Sequence, residues 1–266
     1  MAHMPPVRPG RTCTIDIAGL GHSGEGVGRC EGFAVFVPRA LPGERVAATI
    51  ELVKPTYAKA RLDKVLDPSP DRVVPRCPVY FQCGGCQLQH LAYSAQLVAK
   101  RRAVADAVSR IGKLAGVVVH PVLGAADPWR YRNKMQFPVG MAGGRVAVGC
   151  FAPGSHTIVD TEDCLIQPAA NNAVARAVRA AVAELGLAPY DEASGRGVVR
   201  HVLGRVGAAS GEVMAVLVTA TPELPRAGDI VARLRREVPG LVSIVHNYNP
   251  LRTNVILGRR TTVLWG

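Results

Sequence analysis

Four cysteines, three at short spacing and one very far away, constrain this chain more than any other feature. Cys77, Cys83 and Cys86 fall within RCPVYFQCGGCQLQH, and Cys164 follows in VDTEDCLIQP. Thiolates crowded this closely, with Gly84 and Gly85 letting the backbone curl, are what a four-thiolate metal or cluster site requires. A site closed by a ligand so distant in sequence ties two parts of a fold together, which predicts a structural role. The spacing C-x5-C-x2-C-x77-C departs from the paired C-x2-C of zinc ribbons. Zinc and an iron–sulfur cluster both stay open on chemistry alone. Clusters that initiate radicals use three cysteines and leave one iron free. Four would close every iron, which points to structural or redox work.

The compartment bears on those thiols. No run of about 18 apolar residues could span a membrane, and MAHMPPVRPGR lacks the apolar stretch of a signal peptide. The expectation is a cytoplasmic, monomeric protein whose seven cysteines are reduced and available to metal, because the cytosol disfavours disulfides. The net charge of +12 is spread along the chain and favours a polyanionic partner. A solvated basic surface is the plainer reading of the same number.

With 266 residues and 48% hydrophobic content the chain can hold two packed domains. Residues 1–5 read as a tag or disordered start. Residues 6–70 read as all-β: RTCTIDIAGL, GFAVFVPRAL, ERVAATIELVK and YAKARLDKVL alternate apolar and polar between Gly/Pro turns, as in a small OB-like barrel. The Pro-rich DPSPDRVVPRCP marks a boundary. Residues 71–116 hold the cysteines and a helix, LAYSAQLVAKRRAVADAVSRIGKL, ended by Gly112 or Gly116. Residues 117–266 alternate strand-like and helix-like stretches with hairpin-sized turns, predicting an antiparallel or mixed sheet and an α+β central domain.

Other motifs carry less. Gly19-Leu20-Gly21-His22-Ser23-Gly24 matches a dinucleotide fingerprint by letter. It runs on into glycine-rich and strand-like sequence instead of a helix, so the nucleotide reading is rejected. In Trp129-Arg130-Tyr131-Arg132-Asn133-Lys134 aromatics interleave with cations. On a strand, Arg130, Arg132 and Lys134 would share a face about 7 Å apart, near the phosphate repeat of single-stranded RNA; a charged outer face of an ordinary strand is the plainer account. Lys54, Lys59 and Arg61, with Tyr57, form a similar RNA-binding candidate on the barrel. Cys13, Cys30 and Cys150 have no evident base and read as small core or surface residues. His156, beside Gly154-Ser155, reads as structural.

Several stretches together are recognisable. Gly24-Glu25-Gly26-Val27-Gly28 with Leu41-Pro42-Gly43-Glu44 looks like a TRAM domain. With CPVYFQCGGCQLQHLAYSAQL, WRYRNKMQFPVG, SHTIVDTEDCLIQ and NVILGRRTTVLWG, the chain resembles the radical-free, S-adenosylmethionine-dependent RNA uracil-5-methyltransferases of ribosomal RNA. That resemblance implies a [4Fe–4S] cluster on Cys77, Cys83, Cys86 and Cys164. It also implies RNA contacts from the barrel and central domain. Because tRNA-modifying relatives generally lack the TRAM domain and cluster, it favours 23S rRNA as substrate. Family members continue into a Rossmann-type domain that holds S-adenosylmethionine, the nucleophile and the base. This sequence stops at Gly266, so the expectation is a multidomain protein with that domain absent and with no catalytic activity. Three rival readings stand beside this one: a stand-alone RNA-binding module, a zinc protein of the same shape, and a methylthiotransferase, whose C-x3-C-x2-C motif is missing.

Overall fold

The computed structural model describes residues 5–266; of the start expected as a tag over residues 1–5, residues 1–4 lie outside the described residues. The chain folds into two compact units. One comprises residues 1–76 and 86–125, the other 77–85 and 126–266. The cysteine-rich stretch is therefore divided between the two units instead of forming one serial segment over 71–116.

In the first unit, five strands close a barrel in the order β1-β2-β3-β5-β4. They are β1 Thr12–Leu20, β2 Gly26–Cys30, β3 Phe33–Val37, β4 Arg45–Val53 and β5 Ala58–Asp67. Strict alternation of buried and exposed positions along β1 puts Cys13, Ile15 and Ile17 inside. These pack with Val35, Val37, Val46, Ala48, Ile50, Ala58 and Ala60. Burying a branched side chain as completely as Ile15 or Ile50 is worth about 1.5–3 kcal/mol. The expected OB-like barrel is present. The stretch HSGEGVGR reads as a turn in sequence, because its glycines hide the five-residue strand β2. Cys13 and Cys30 form a disulfide with Cα atoms 6.4 Å apart, which corrects the expectation that all seven cysteines are free. Both face the barrel core, where neighbouring strands bring them together.

Helix α1, Tyr93–Asp106, follows Gln87–Ala92 and closes in a π-helical turn, Ala107–Ile111, before Gly112. The apolar spacing along this helix is real, yet none of its residues is buried. Val98, for example, is 69% exposed.

The second unit is a seven-stranded mixed sheet in the order β12-β11-β10-β9-β6-β7-β8. Its strands are β6 Lys134–Ala142, β7 Arg145–Phe151, β8 Ile158–Asp160, β9 Val199–Val206, β10 Val213–Thr219, β11 Leu241–Tyr248 and β12 Arg260–Trp265. All pairings are antiparallel except β10 with β11. Helix α3, Ala227–Glu237, makes the crossover between those two parallel strands, as a parallel pair requires. Helix α2, Ala169–Glu184, presents Val174, Val178, Ala181 and Val182 to a core containing Met135, Phe137, Val202, Leu217 and Ile244. Leu203, Val216, Val218 and Val245 form a second cluster, with Ile256 packed against it. Gly149 on β7 is tied to the tight approach of β8: a Cβ there would lie 2.0 Å from the Val159 carbonyl oxygen.

Candidate functional site

The cysteine segment is built from a tight turn. The amide of Cys83 donates to the Val79 carbonyl (2.8 Å), and that of Gly84 to Phe151 O at the end of β7 (2.9 Å). The Gly85 amide donates to Cys83 Sγ (3.3 Å). A Cβ on Gly84 would sit 2.8 Å from Phe151 O, and one on Gly85 would lie 3.3 Å from Cys150 Sγ and 3.4 Å from Cys83 Sγ. Glycine at these two positions therefore lets the segment lie against β7 and against two sulfurs.

The thiols differ in electrostatics. A hydrogen bond with Cys150 outweighs partial burial and, with the Gly85 amide, draws the Cys83 pKa down to about 6. Cys83 is then a thiolate at neutral pH, the form that binds metal. Burial first, then the charges of Cys83 and Asp163, push the Cys77 thiol up against a hydrogen bond from Val79.

Cys164 is held by a polar network at the start of α2. Asn172 Oδ1 accepts from the Cys164 amide (3.2 Å), and Asn172 Nδ2 donates to Asp163 (2.6 Å) and to Cys164 O (3.2 Å). Arg130 grips both Asp163 oxygens at 2.7 Å and donates to Gln167 O (3.0 Å). This pairing holds the Asp163 carboxyl below its usual range. Cys77, Cys83 and Cys164 thus lie in the second unit together with Cys150, whereas Cys86 begins the second stretch of the first unit. Among the described residues no three His, Cys, Asp or Glu converge as a single bound ion needs. A four-iron cluster spreads its thiolates over separate irons. The sulfurs around Gly85 are those of Cys83 and Cys150, and Cys150 is not one of the four expected ligands.

The cationic candidates fall into distinct classes. Lys59 and Arg61 share the outer face of β5, as alternation predicts. Arg61, however, is engaged by Glu51 (3.4 Å) and Asp63 (3.1 Å). Lys54 sits in the turn where its amide donates to Tyr57 O (2.8 Å), and Tyr57 packs edge-on to Phe36. Among the described residues neither Lys54 nor Lys59 has an ion-pair partner.

Arg130, Arg132 and Lys134 do not share a strand face. The Asp127 carboxylate accepts from the Trp129 amide (3.0 Å), Arg130 takes a left-handed φ of 55°, and β6 begins only at Lys134. The amides of Arg130 and Arg132 instead donate to Leu165 O and Ile166 O, both at 2.9 Å. Local turn chemistry overrides the alternating pattern. His156 is bonded to Glu192 and stacks on Phe151.

Sequence reasoning missed Cys150, whose place beside Cys83 depends on docking residues 83–85 against β7. It also missed a groove of about 1300 Å3 within the first unit, between the β1–β2 side of the barrel and α1. Arg29, Lys100, Arg102 and Arg110 line it with Asp16, Asp71 and Asp106. Arg102 and Arg110 both approach Asp106, whereas Lys100 has no ion-pair partner among the described residues. Glycine-flanked β1 and the cationic helix were the available signals. Their juxtaposition was not.

Residues 6–62 match the TRAM domain. Over 98% of its length the chain is 46% identical to an uncharacterized RNA methyltransferase of Halalkalibacterium halodurans. It is 42% identical, over 99% of its length, to one of Caldanaerobacter subterraneus subsp. tengcongensis. It spans only 57% and 58% of these two relatives. Among solved structures, the tRNA (uracil-54, C5)-methyltransferase of Pyrococcus abyssi, in complex with S-adenosyl-L-homocysteine, superposes with a TM-score of 0.69 at 23% identity. That superposition covers 94% of this chain and 55% of the other. The expectation of an inactive protein lacking a methyltransferase domain is corrected by these matches. Nearly the whole chain aligns within proteins named RNA methyltransferases, and its end at Gly266 carries no conclusion about activity. The barrel's presence also does not separate ribosomal from transfer RNA, since a tRNA methyltransferase shares the fold across 94% of the chain. Among the described residues no helix is long and apolar enough to cross a membrane.

Proposed function

We propose that the protein acts in S-adenosylmethionine-dependent methylation of RNA at uracil C5, with the barrel and the mixed-sheet unit holding the RNA. The observation that carries this reading is the continuous likeness, over 98% of the chain, to proteins named RNA methyltransferases. A fold shared with a uracil-C5 enzyme supports it. Uracil C5 is a weak nucleophile. Covalent addition at C6 turns it into an enolate-like carbon able to attack the sulfonium methyl. In this reading Lys54 and Lys59 supply phosphate contacts, joined by Arg132 and Lys134 on the other unit. Arg130 and Arg61, already engaged by carboxylates, supply form more than contact. Cys77, Cys83, Cys86 and Cys164 hold a [4Fe–4S] cluster, a role supported by the lowered pKa of Cys83. The finer reading places the target uracil in 23S rRNA and rests on the resemblance carried by the cysteine block.

The test uses protein expressed from its native gene and ribosomal or transfer RNA labelled with tritium at uracil C5. Tritium release that requires S-adenosylmethionine is expected, and ribosomal RNA should be the better substrate. Methyl incorporation without tritium release removes the C5 assignment, and preference for transfer RNA reverses the substrate. Anaerobically purified protein should be brown with about four irons per chain; colourless, iron-free protein sinks the cluster.

A further inference from the structure

We propose that Cys83 and Cys150 form an oxidisable thiol pair that a peroxide closes into a disulfide, withdrawing Cys83 from the four-cysteine site. Three observations within the second unit carry this. The two thiols are hydrogen-bonded, although 66 positions separate them in sequence. The backbone locks them at that approach: Gly84 N–H donates to Phe151 O, next to Cys150 (2.9 Å). The strand carrying Cys150 is pinned by its pairing with Val159 of β8. Finally, both sulfurs border the bare Cα of Gly85, and both cysteines are only half-buried, so a small oxidant can reach them.

The roles within the pair are unequal. Cys83 Sγ accepts from the Gly85 amide at 3.3 Å, which holds its sulfur in place, and Cys83 attacks as its thiolate. Its sulfur attacks one peroxide oxygen, the O–O bond breaks, hydroxide leaves, and a sulfenic acid remains on Cys83. Cys150 sulfur then attacks the sulfenic sulfur. The S–S bond forms, the S–O bond breaks, and the oxygen departs as water with the Cys150 proton. Two thiols lose two electrons, and one peroxide becomes two waters. Withdrawal of Cys83 matters for metal only if the cluster reading above is right; the pair itself does not depend on it.

The experiment exposes metal-free, reduced protein to stoichiometric hydrogen peroxide, blocks remaining thiols with iodoacetamide and maps chymotryptic peptides. Cleavage after Phe81 and Phe151 separates Cys83 from Cys77 and Cys150 from Cys164. Fragmentation within the peptide distinguishes Cys83 from Cys86. The expected product links Cys83 to Cys150. In Cys150→Ser that link is lost and Cys83 becomes reactive toward dimedone, a sulfenic-acid trap. Full alkylation of both residues, or a link from Cys83 to Cys77, Cys86 or Cys164, overturns the pair. The wild-type map decides this even if the variant misfolds. Iron and sulfide are then offered to reduced and to oxidised protein. Uptake by the reduced form alone supports the withdrawal of Cys83, and equal uptake by both overturns it. No uptake by the reduced form overturns the cluster reading and the withdrawal with it, while the peptide map still decides the pair.

Discussion

Glu44 is the best place to test how the barrel unit is held together, because its carboxylate is wholly buried and serves several donors at once. It accepts from the Leu41 amide (2.8 Å) and the Ser69 amide (3.3 Å), and from Arg72 Nε and Nη2 at 2.5 and 2.8 Å. It thereby ties the β3–β4 turn to the segment leaving β5. Burial alone would raise the Glu44 pKa. The Arg72 hydrogen bonds, the Leu41 amide, the Arg72 charge and the Ser69 amide outweigh it, and the net shift is downward. Removing one partner of a buried pair costs about 3–5 kcal/mol. Glu44→Gln keeps the shape and some of the acceptor capacity, and Arg72 is partly exposed, so a loss of about 2–3 kcal/mol is expected, in the range for hydrogen bonds to charged groups. At about 2–4 °C per kcal/mol for a chain of this size, Tm should fall by roughly 4–12 °C at pH 7. The sign with pH follows from the depressed folded pKa. The contribution is present above the unfolded value and is lost as pH falls through the lower folded one. Protonated Glu44 resembles Gln, so in thermal melts followed by circular dichroism the gap between wild type and variant should narrow between pH 7 and an acid pH below the unfolded carboxyl value. A gap below about 1 kcal/mol at pH 7, or one of equal size at both pH values, would refute the reasoning.

Three further outcomes are expected. Cys164→Ser should lose iron and make the second unit more sensitive to limited proteolysis, since a metal ligand also ties the fold; unchanged cleavage argues against a structural role. Lys59→Ala should weaken RNA binding and reduce the salt slope of log K by about 1. Arg130→Ala should instead loosen the Cys164 loop, seen as faster amide exchange around residues 163–167. A larger slope change for Arg130 than for Lys59 reverses that assignment. Gly149→Ala should break the β7–β8 pairing, because its methyl would overlap the Val159 carbonyl. An unaltered Tm would show that β8 yields without cost.

The barrel, the alternation on β5 that sets Lys59 beside Arg61, and both helices of the mixed sheet are legible in the letters alone, because each is a local pattern of period 2 or 3.6. So are the cysteines of the tight turn and the glycines between them, though the steric reason for those glycines lies in their approach to Phe151 and Cys150. The rest follows from tertiary contacts. The pattern around Trp129 reads as a strand, but an Asp127 turn and backbone bonds to residues 165–166 make it a brace for Cys164. Cys13 and Cys30 look like core residues and are joined, because adjacent barrel strands bring them within reach. Cys150 is unremarkable in sequence and becomes a neighbour of Cys83 only when Gly84 docks on Phe151. Spacing can report which residues share an element. Which sulfur meets which depends on contacts between elements far apart in the chain, and only the folded backbone sets those.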